Sequence, residues 1–211
     1  MTDTIIVAVS GASGVVYGVR LVEALLAQPL DVRLIPTRAG RHILAHEMDF
    51  DDGDWPAFLA RRGAVQHPDA RLTVYRFDDL FAPPASGSFP HRGMVIAPCS
   101  MKTLGAVAAG IGGNLVHRAA DVTLKERRRL VLVPRETPLS AIHLENMHRL
   151  ALAGATILPP SPGFYFHPAS VAELVDHIVA RILDQLDVAH ALAPRWGQPS
   201  ATPPHGGEDV P

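Results

Sequence analysis

Ile5-Ile6-Val7-Ala8-Val9-Ser10-Gly11-Ala12-Ser13-Gly14 is the stretch that decides how this chain folds. Five consecutive apolar residues fit a strand buried on both faces of a parallel sheet, and the small-residue turn then passes the chain into a helix over 15–27. This is a βα unit, and the alternation continues outward from it. A second strand is predicted at 32–36, a helix at 38–48, a short strand at 72–75, and a buried strand at 93–97 before a helix that opens near Ser100. Farther along come a cationic helix, an apolar strand at 130–134, a helix carrying Ile142, Leu144, Met147 and Leu150 that Gly154 closes, a strand at 155–158 and a last helix at 170–186. In that last helix Ser170-Val171-Ala172-Glu173 reads as a capping box, with Val171, Leu174, Val175, Ile178 and Ile182 as its apolar stripe. Strands alternating with helices imply an α/β fold with a doubly wound, mostly parallel sheet.

The composition sets bounds on function. At 211 residues and 47% hydrophobic content the chain can fill one sizeable core, and a single domain over 1–196 is expected. The Pro- and Gly-rich 197–211 tail is expected to be disordered. A formal net charge of −2 gives no global attraction for nucleic acid, so the expected partners are small molecules. One cysteine, Cys99, excludes an internal disulfide framework. No signal-peptide pattern follows Met1, and no apolar run reaches the roughly 18 residues of a transmembrane helix, so a cytoplasmic protein without a membrane span is expected. Two segments fall outside the alternation, the acidic and aromatic 49–70 insertion and the 82–88 loop; both are candidate lids or subunit contacts.

Gly11-Ala12-Ser13-Gly14 sits where a strand becomes a helix, a place where backbone N–H groups and the helix dipole face an anion; a plain tight turn explains it equally well. It is not the dinucleotide fingerprint, because the next glycine after Gly14 is Gly18. Pro98-Cys99-Ser100-Met101-Lys102-Thr103-Leu104 is a second such turn, either a phosphate or flavin cradle or a capped helix start. The basic stretch from Arg118 through Lys125 to Arg129 runs into a strand that ends on Arg135-Glu136-Thr137-Pro138. That delivers a carboxylate among cations at a strand's carboxyl end, as an anion-binding enzyme site would require. Cys99 is either a nucleophile or a small buried residue. His42 and His46 share a helix face beside Glu47, a spacing open to zinc, yet no third ligand follows, and no metal is expected. The acidic run at 49–54 lacks EF-hand spacing and reads as a solvated loop.

Gly11-Ala12-Ser13-Gly14, Ala85-Ser86-Gly87-Ser88, Pro98-Cys99-Ser100-Met101-Lys102-Thr103-Leu104, Asn114-Leu115, Arg118-Ala119-Ala120-Asp121-Val122, Leu124-Lys125-Glu126-Arg127-Arg128, Arg135-Glu136-Thr137-Pro138, Pro162-Gly163-Phe164-Tyr165 and Arg195-Trp196 follow one another in this order. Together they closely resemble the UbiX-type flavin prenyltransferases. The resemblance implies a flavodoxin-like or Rossmann-like three-layer sandwich that assembles as a homo-oligomer, typically a dodecamer. It implies an enzyme that joins the dimethylallyl group of dimethylallyl phosphate to N5 and C6 of reduced FMN without a metal. The product, prenylated FMN, would serve a UbiD-type decarboxylase.

Carried over residue by residue, the resemblance makes Ser13 a proton relay beside flavin N5, with Gly11, Ala12, Thr37, Ser100, Met101, Lys102, Thr103 and Arg135 holding FMN. Thr37 stands where a serine is more usual and keeps the hydroxyl. Arg118, Lys125, Arg135, Tyr165 and Arg181 would surround the allylic phosphate, with Trp196 beside the prenyl group and Glu47 and Glu136 as acid/base carboxylates. This agrees with the chemistry, since breaking an allylic C–O bond calls for cations on the leaving phosphate and aromatic faces that exclude water from the allyl cation. Glu136 could instead orient Lys125 through a salt bridge. Two other readings are an FMN-dependent peptidyl-cysteine decarboxylase and a non-enzymatic flavin carrier; the first lacks its Pro-x-Met-Asn segment here, and the second leaves the second set of cations unexplained.

Overall fold

The computed structural model describes residues 3–51 and 53–196; the 197–211 tail lies outside the described residues. Six strands form one all-parallel sheet in the order β3-β2-β1-β4-β5-β6. They are β1 (Thr4–Val9), β2 (Asp31–Pro36), β3 (Arg71–Val74), β4 (Gly93–Cys99), β5 (Arg129–Pro134) and β6 (Thr156–Ile157). The helices are α1 (Val15–Leu26), α2 (Arg38–Met48), α3 (Trp55–Arg61), α4 (Met101–Ala108), α5 (Leu115–Lys125), α6 (Ala141–Leu152) and α7 (Val171–Gln185).

The strand period of two divides the core between the sheet's faces. Ile5, Val7 and Val9 of β1 pack with α1, α2, α3 and α7 on one side. Ile6 and Ala8 pack with α4, α5 and α6 on the other. The result is a doubly wound three-layer sandwich whose strand order reverses between β1 and β4, the place where such sheets open a crevice at their carboxyl edge. Gly18 permits the first helix to lie on the sheet there, because a Cβ on it would stand 2.2 Å from the Ala97 carbonyl oxygen.

Several expectations change. The 49–70 insertion carries a helix and part of the core rather than a lid, while Asp49, Asp51 and Asp54 of its acidic run stay exposed outside any helix. Asp54 caps α3 through the Ala57 N–H at 3.1 Å, while Phe50, Trp55 and Phe58 are buried against one another, with ring centroids 4.7–5.8 Å apart. Burying three aromatic rings favours the core over an exposed flap. At α7 the Ser170 hydroxyl accepts from Glu173 N–H as expected, but the Glu173 carboxylate reaches back to Ala169 N–H, one residue farther than a capping box requires. Of the α7 stripe Val175, Ile178 and Ile182 are buried, whereas Val171 is exposed. The helix expected before Gly154 forms as α6, with Leu150 buried while Ile142 and Leu144 are 70% and 53% exposed. No helix among the described residues is long and apolar enough to cross a membrane.

Candidate functional site

The parallel topology puts the start of α1, α2 and α4 at the carboxyl edge of β1, β2 and β4, so three helix N-termini face one crevice. Gly14 enters α1 in the left-handed region, at φ 93°, and offers no side chain to cap it. Glu47, from the last turn of α2, does so instead: its Oε2 accepts from the Gly14 and Val15 N–H groups at 2.9 and 3.3 Å. Thr37 caps α2 by accepting from Gly40 N–H at 2.9 Å. Ser100 caps α4, accepting from Thr103 N–H at 3.3 Å and donating to the Thr103 hydroxyl at 3.1 Å. Gly11 is required by close approach, since a Cβ on it would lie 2.4 Å from that of Ala39.

One residue that the sequence reading passed over ties these turns together. Ser10 is buried, and its hydroxyl donates to the Pro98 carbonyl at 2.8 Å while accepting from Ser100 N–H at 2.8 Å. It bridges the ends of β1 and β4 at the point where the strand order reverses. Its only signal in the sequence is a hydroxyl directly after an apolar strand. From β5, Arg135 Nε donates to the Ser13 carbonyl at 3.2 Å, and Glu136 accepts from Thr137 N–H at 3.1 Å. Gly11, Ala12, Ser13, Thr37, Glu47, Ser100, Met101, Lys102, Thr103, Arg135 and Glu136 thus gather along one edge.

Lys125 is elsewhere. It ends α5, which runs back toward the amino edge where β5 begins, and β5 has six residues; at about 3.3 Å per residue the two edges stand about 20 Å apart, beyond any lysine's reach. There Lys125 pairs with Glu126, not with Glu136, and the pairing holds the Glu126 carboxyl below its ordinary value. Both lie against the 86–88 loop, where a Cβ on Gly87 would come within 2.5 Å of Glu126 Oε1 and 2.8 Å of Lys125 Nζ. Arg118, two turns earlier on α5, donates to the Ala85 carbonyl at 3.1 Å and pairs with Asp121 at 2.7 Å.

Tyr165, Trp196 and Arg181 form a third group along α7. The Tyr165 ring meets that of Trp196 edge to face at 5.0 Å and lies 5.8 Å from His177. His177 is held below its ordinary pKa by burial and by Arg181, which follows it by four residues on the same face. A second residue missed from sequence, Asp184, organises this group. It accepts from Arg181 and Arg195 at 2.8 Å each and from His190 at 3.0 Å, so one carboxylate fixes both Arg181 and the segment carrying Trp196. The residues expected around one phosphate therefore form three separate groups within a chain.

Burial pushes the Cys99 thiol up to about 12, which leaves no thiolate for nucleophilic chemistry. His42 and His46 are both exposed, and the Glu47 carboxylate beside them is occupied by α1. Among the described residues no group of three His, Cys, Asp or Glu side chains could hold a metal ion.

Residues 2–183 match the family model described as Flavoprotein. The flavin prenyltransferase UbiX of Pseudomonas aeruginosa is 48% identical over 201 residues, 93% of this chain and 95% of that protein. Among solved structures, AnUbiX (PadA1) in complex with FMN and dimethylallyl pyrophosphate superposes with a TM-score of 0.83 at 39% identity, covering 95% of this chain and all of that one. A dodecameric FMN-dependent UbiX-like decarboxylase from Escherichia coli O157:H7 gives 0.82 at 41%, covering 92% of this chain and all of that one.

Proposed function

The chain belongs to the UbiX flavin prenyltransferases of the flavoprotein family, and from that premise we propose that it transfers the dimethylallyl group of dimethylallyl phosphate to N5 and C6 of reduced FMN. The observation that carries this reading is the carboxyl-edge crevice, where Ser10 joins two helix-start turns and Arg135 closes a third side against Ser13. Such an edge fits a flavin mononucleotide: helix N-termini and Arg135 suit its phosphate, and the hydroxyls of Thr37, Ser100 and Thr103 suit its polar atoms. When bound, reduced FMN supplies the nucleophilic ring atoms that accept the prenyl carbon.

The chain's own side chains then have separable tasks. Ser13, exposed at the turn, relays a proton near the ring. Glu47, anchored on the α1 N-terminus, keeps that turn in place and accepts protons as an anion. Glu136 either protonates the departing phosphate or removes the proton displaced from C6. Lys125, Arg118 and Arg181 neutralise the phosphate as the allylic C–O bond breaks, and Tyr165 and Trp196 cover the allyl cation.

With Lys125 about 20 Å from Ser13 across the sheet, these tasks meet in one site if neighbouring subunits of an oligomer supply the amino-edge cations. The exposed Ile142 and Leu144 of α6 provide apolar surface for such assembly, and the dodecameric relative supports it. The product is suited to a UbiD-type decarboxylase, and the cytoplasm is the compartment proposed.

Incubating the protein anaerobically with reduced FMN and dimethylallyl phosphate, then weighing the extracted flavin, tests this directly. A gain of one five-carbon prenyl unit is expected; FMN recovered unchanged with both the monophosphate and the diphosphate donor would overturn it. Ser10→Ala provides a check on the crevice itself. It leaves the Ser100 N–H without its partner at a cost of about 1–3 kcal/mol. FMN is expected to bind roughly tenfold or more weakly in a fluorescence titration, with Ser10→Thr restoring most of the affinity.

A further inference from the structure

We propose that Arg128 is a positioning residue for the phosphate-binding half of the site, acting with His91 as a clamp that sets the 86–88 loop against Lys125. The inference rests on the prenyl-transfer reading above, and it starts from how α5 stops. Arg127 adopts the left-handed region at φ 53°, Arg127 N–H returns to the Leu124 carbonyl and Arg128 N–H to the Thr123 carbonyl, each at 2.9 Å. That is the double bond of a Schellman stop, with arginine where glycine is usual, and it fixes the direction in which Arg128 leaves the helix.

From there the guanidinium takes two carbonyls of the loop. Nη2 donates to Gly87 at 2.9 Å and Nη1 to Phe89 at 2.8 Å. Arg118 holds the Ala85 carbonyl, so alternate carbonyls at 85, 87 and 89 are all bound by arginines that α5 carries or aims. A segment centred on glycine has more conformations to lose than any other, and these bonds select one of them.

His91 completes the clamp, with its Nδ1 lying 3.0 Å from Arg128 Nη1 and 3.2 Å from the Phe89 carbonyl that Arg128 also holds. The Thr123 hydroxyl donates to the Ala119 carbonyl at 2.7 Å, so it accepts from His91 Nε2–H at 3.0 Å. In that tautomer His91 Nδ1 accepts from Arg128 Nη1 at 3.0 Å, and the Phe89 carbonyl 3.2 Å from Nδ1 is satisfied by the same Arg128 Nη1. The ring is buried, which favours this neutral form, and it stacks on Phe89, with centroids 6.1 Å apart. Phe89 also meets the guanidinium carbon of Arg33, 5.7 Å from the ring centroid.

The loop so fixed is the one whose Gly87 leaves no room for a Cβ beside Lys125 Nζ and Glu126 Oε1. A shift of the Gly87 peptide therefore moves the ammonium. Because the clamp lies at the amino edge, it acts on the allylic phosphate and leaves the carboxyl-edge flavin turns untouched.

Arg128→Met separates these effects. Steady-state kinetics are expected to show the KM for dimethylallyl phosphate raised about tenfold or more, with the FMN dissociation constant within about twofold of the parent and the oligomer unchanged in sedimentation. Hydrogen exchange at the 86–89 amides should accelerate, a readout independent of turnover. If this variant does not fold, Arg128→Lys keeps the charge and stem but cannot hold two carbonyls at once, and a raised KM is again expected. A parental KM in the variant that folds, or a KM and FMN constant that rise together, would overturn the clamp. A parent chain that makes no prenylated FMN overturns the function instead, and the exchange rates then decide the clamp alone.

Discussion

Glu136→Gln is expected to bind FMN as tightly as the parent chain and yet to form prenylated FMN about 10²–10⁴-fold more slowly. The side chain stands exposed at the carboxyl edge directly after Arg135, which reaches Ser13, and it accepts from Thr137 N–H. A glutamine keeps that bond, through its amide oxygen, and keeps the volume. What it loses is the capacity to give or take a proton, so ground-state binding should survive while the chemical step fails. Glu136 has no contact with Lys125, which pairs with Glu126, so the loss cannot be attributed to a misdirected ammonium within the chain. Single-turnover mass analysis of the flavin beside an FMN titration separates the two quantities. A rate within about threefold of the parent would remove Glu136 from proton transfer.

The strands that build this edge were legible because a strand covered on both faces leaves an uninterrupted apolar run. β1, β4 and β5 all carry one, β2 is broken only by Arg33, and β4 extends two residues past the expected end to Cys99. β6, expected at 155–158, forms there but keeps only two residues in the ladder. α3 was missed because its seven residues follow directly on the acidic run and are too few to show a helical period; the chain buries Trp55, Phe58 and Leu59 and uses Asp54 as a cap.

At the site, turns that follow directly from a strand were readable, since a strand end and a helix start impose the N–H geometry locally. Ser10 and Asp184 were not, because each acts on groups distant in sequence or on several cations at once. Nor does residue order say which edge a side chain occupies until strand direction is known. Lys125 and Arg135 are ten positions apart in the chain and at opposite ends of β5. The apolar pattern on α6 was read as a helix, which forms at Ala141–Leu152, but periodicity shows that a face avoids water and not what covers it.

Subunit mixing gives the second large effect. Ser13→Ala and Lys125→Met, each as a uniform assembly, are expected to lose about 10²-fold or more in prenyl transfer, the first through the proton relay and the second through the uncompensated leaving phosphate. Neither side chain is part of the core, as both are exposed, so both proteins should fold. Unfolding and refolding an equimolar mixture distributes the two kinds of subunit at random. If a site takes Ser13 from one chain and Lys125 from another, half of the first positions and half of the second are intact, and about one quarter of the parent activity should return. If both residues served a site within a single chain, every chain in the mixture would carry a defect and nothing would return. The geometry favours recovery, because a side chain spanning about 6 Å cannot cross the roughly 20 Å that a six-residue strand places between Lys125 and the Ser13 turn. A refolded mixture that assembles to the parent size and stays inactive would confine the chemistry to one subunit and exclude Lys125 from it.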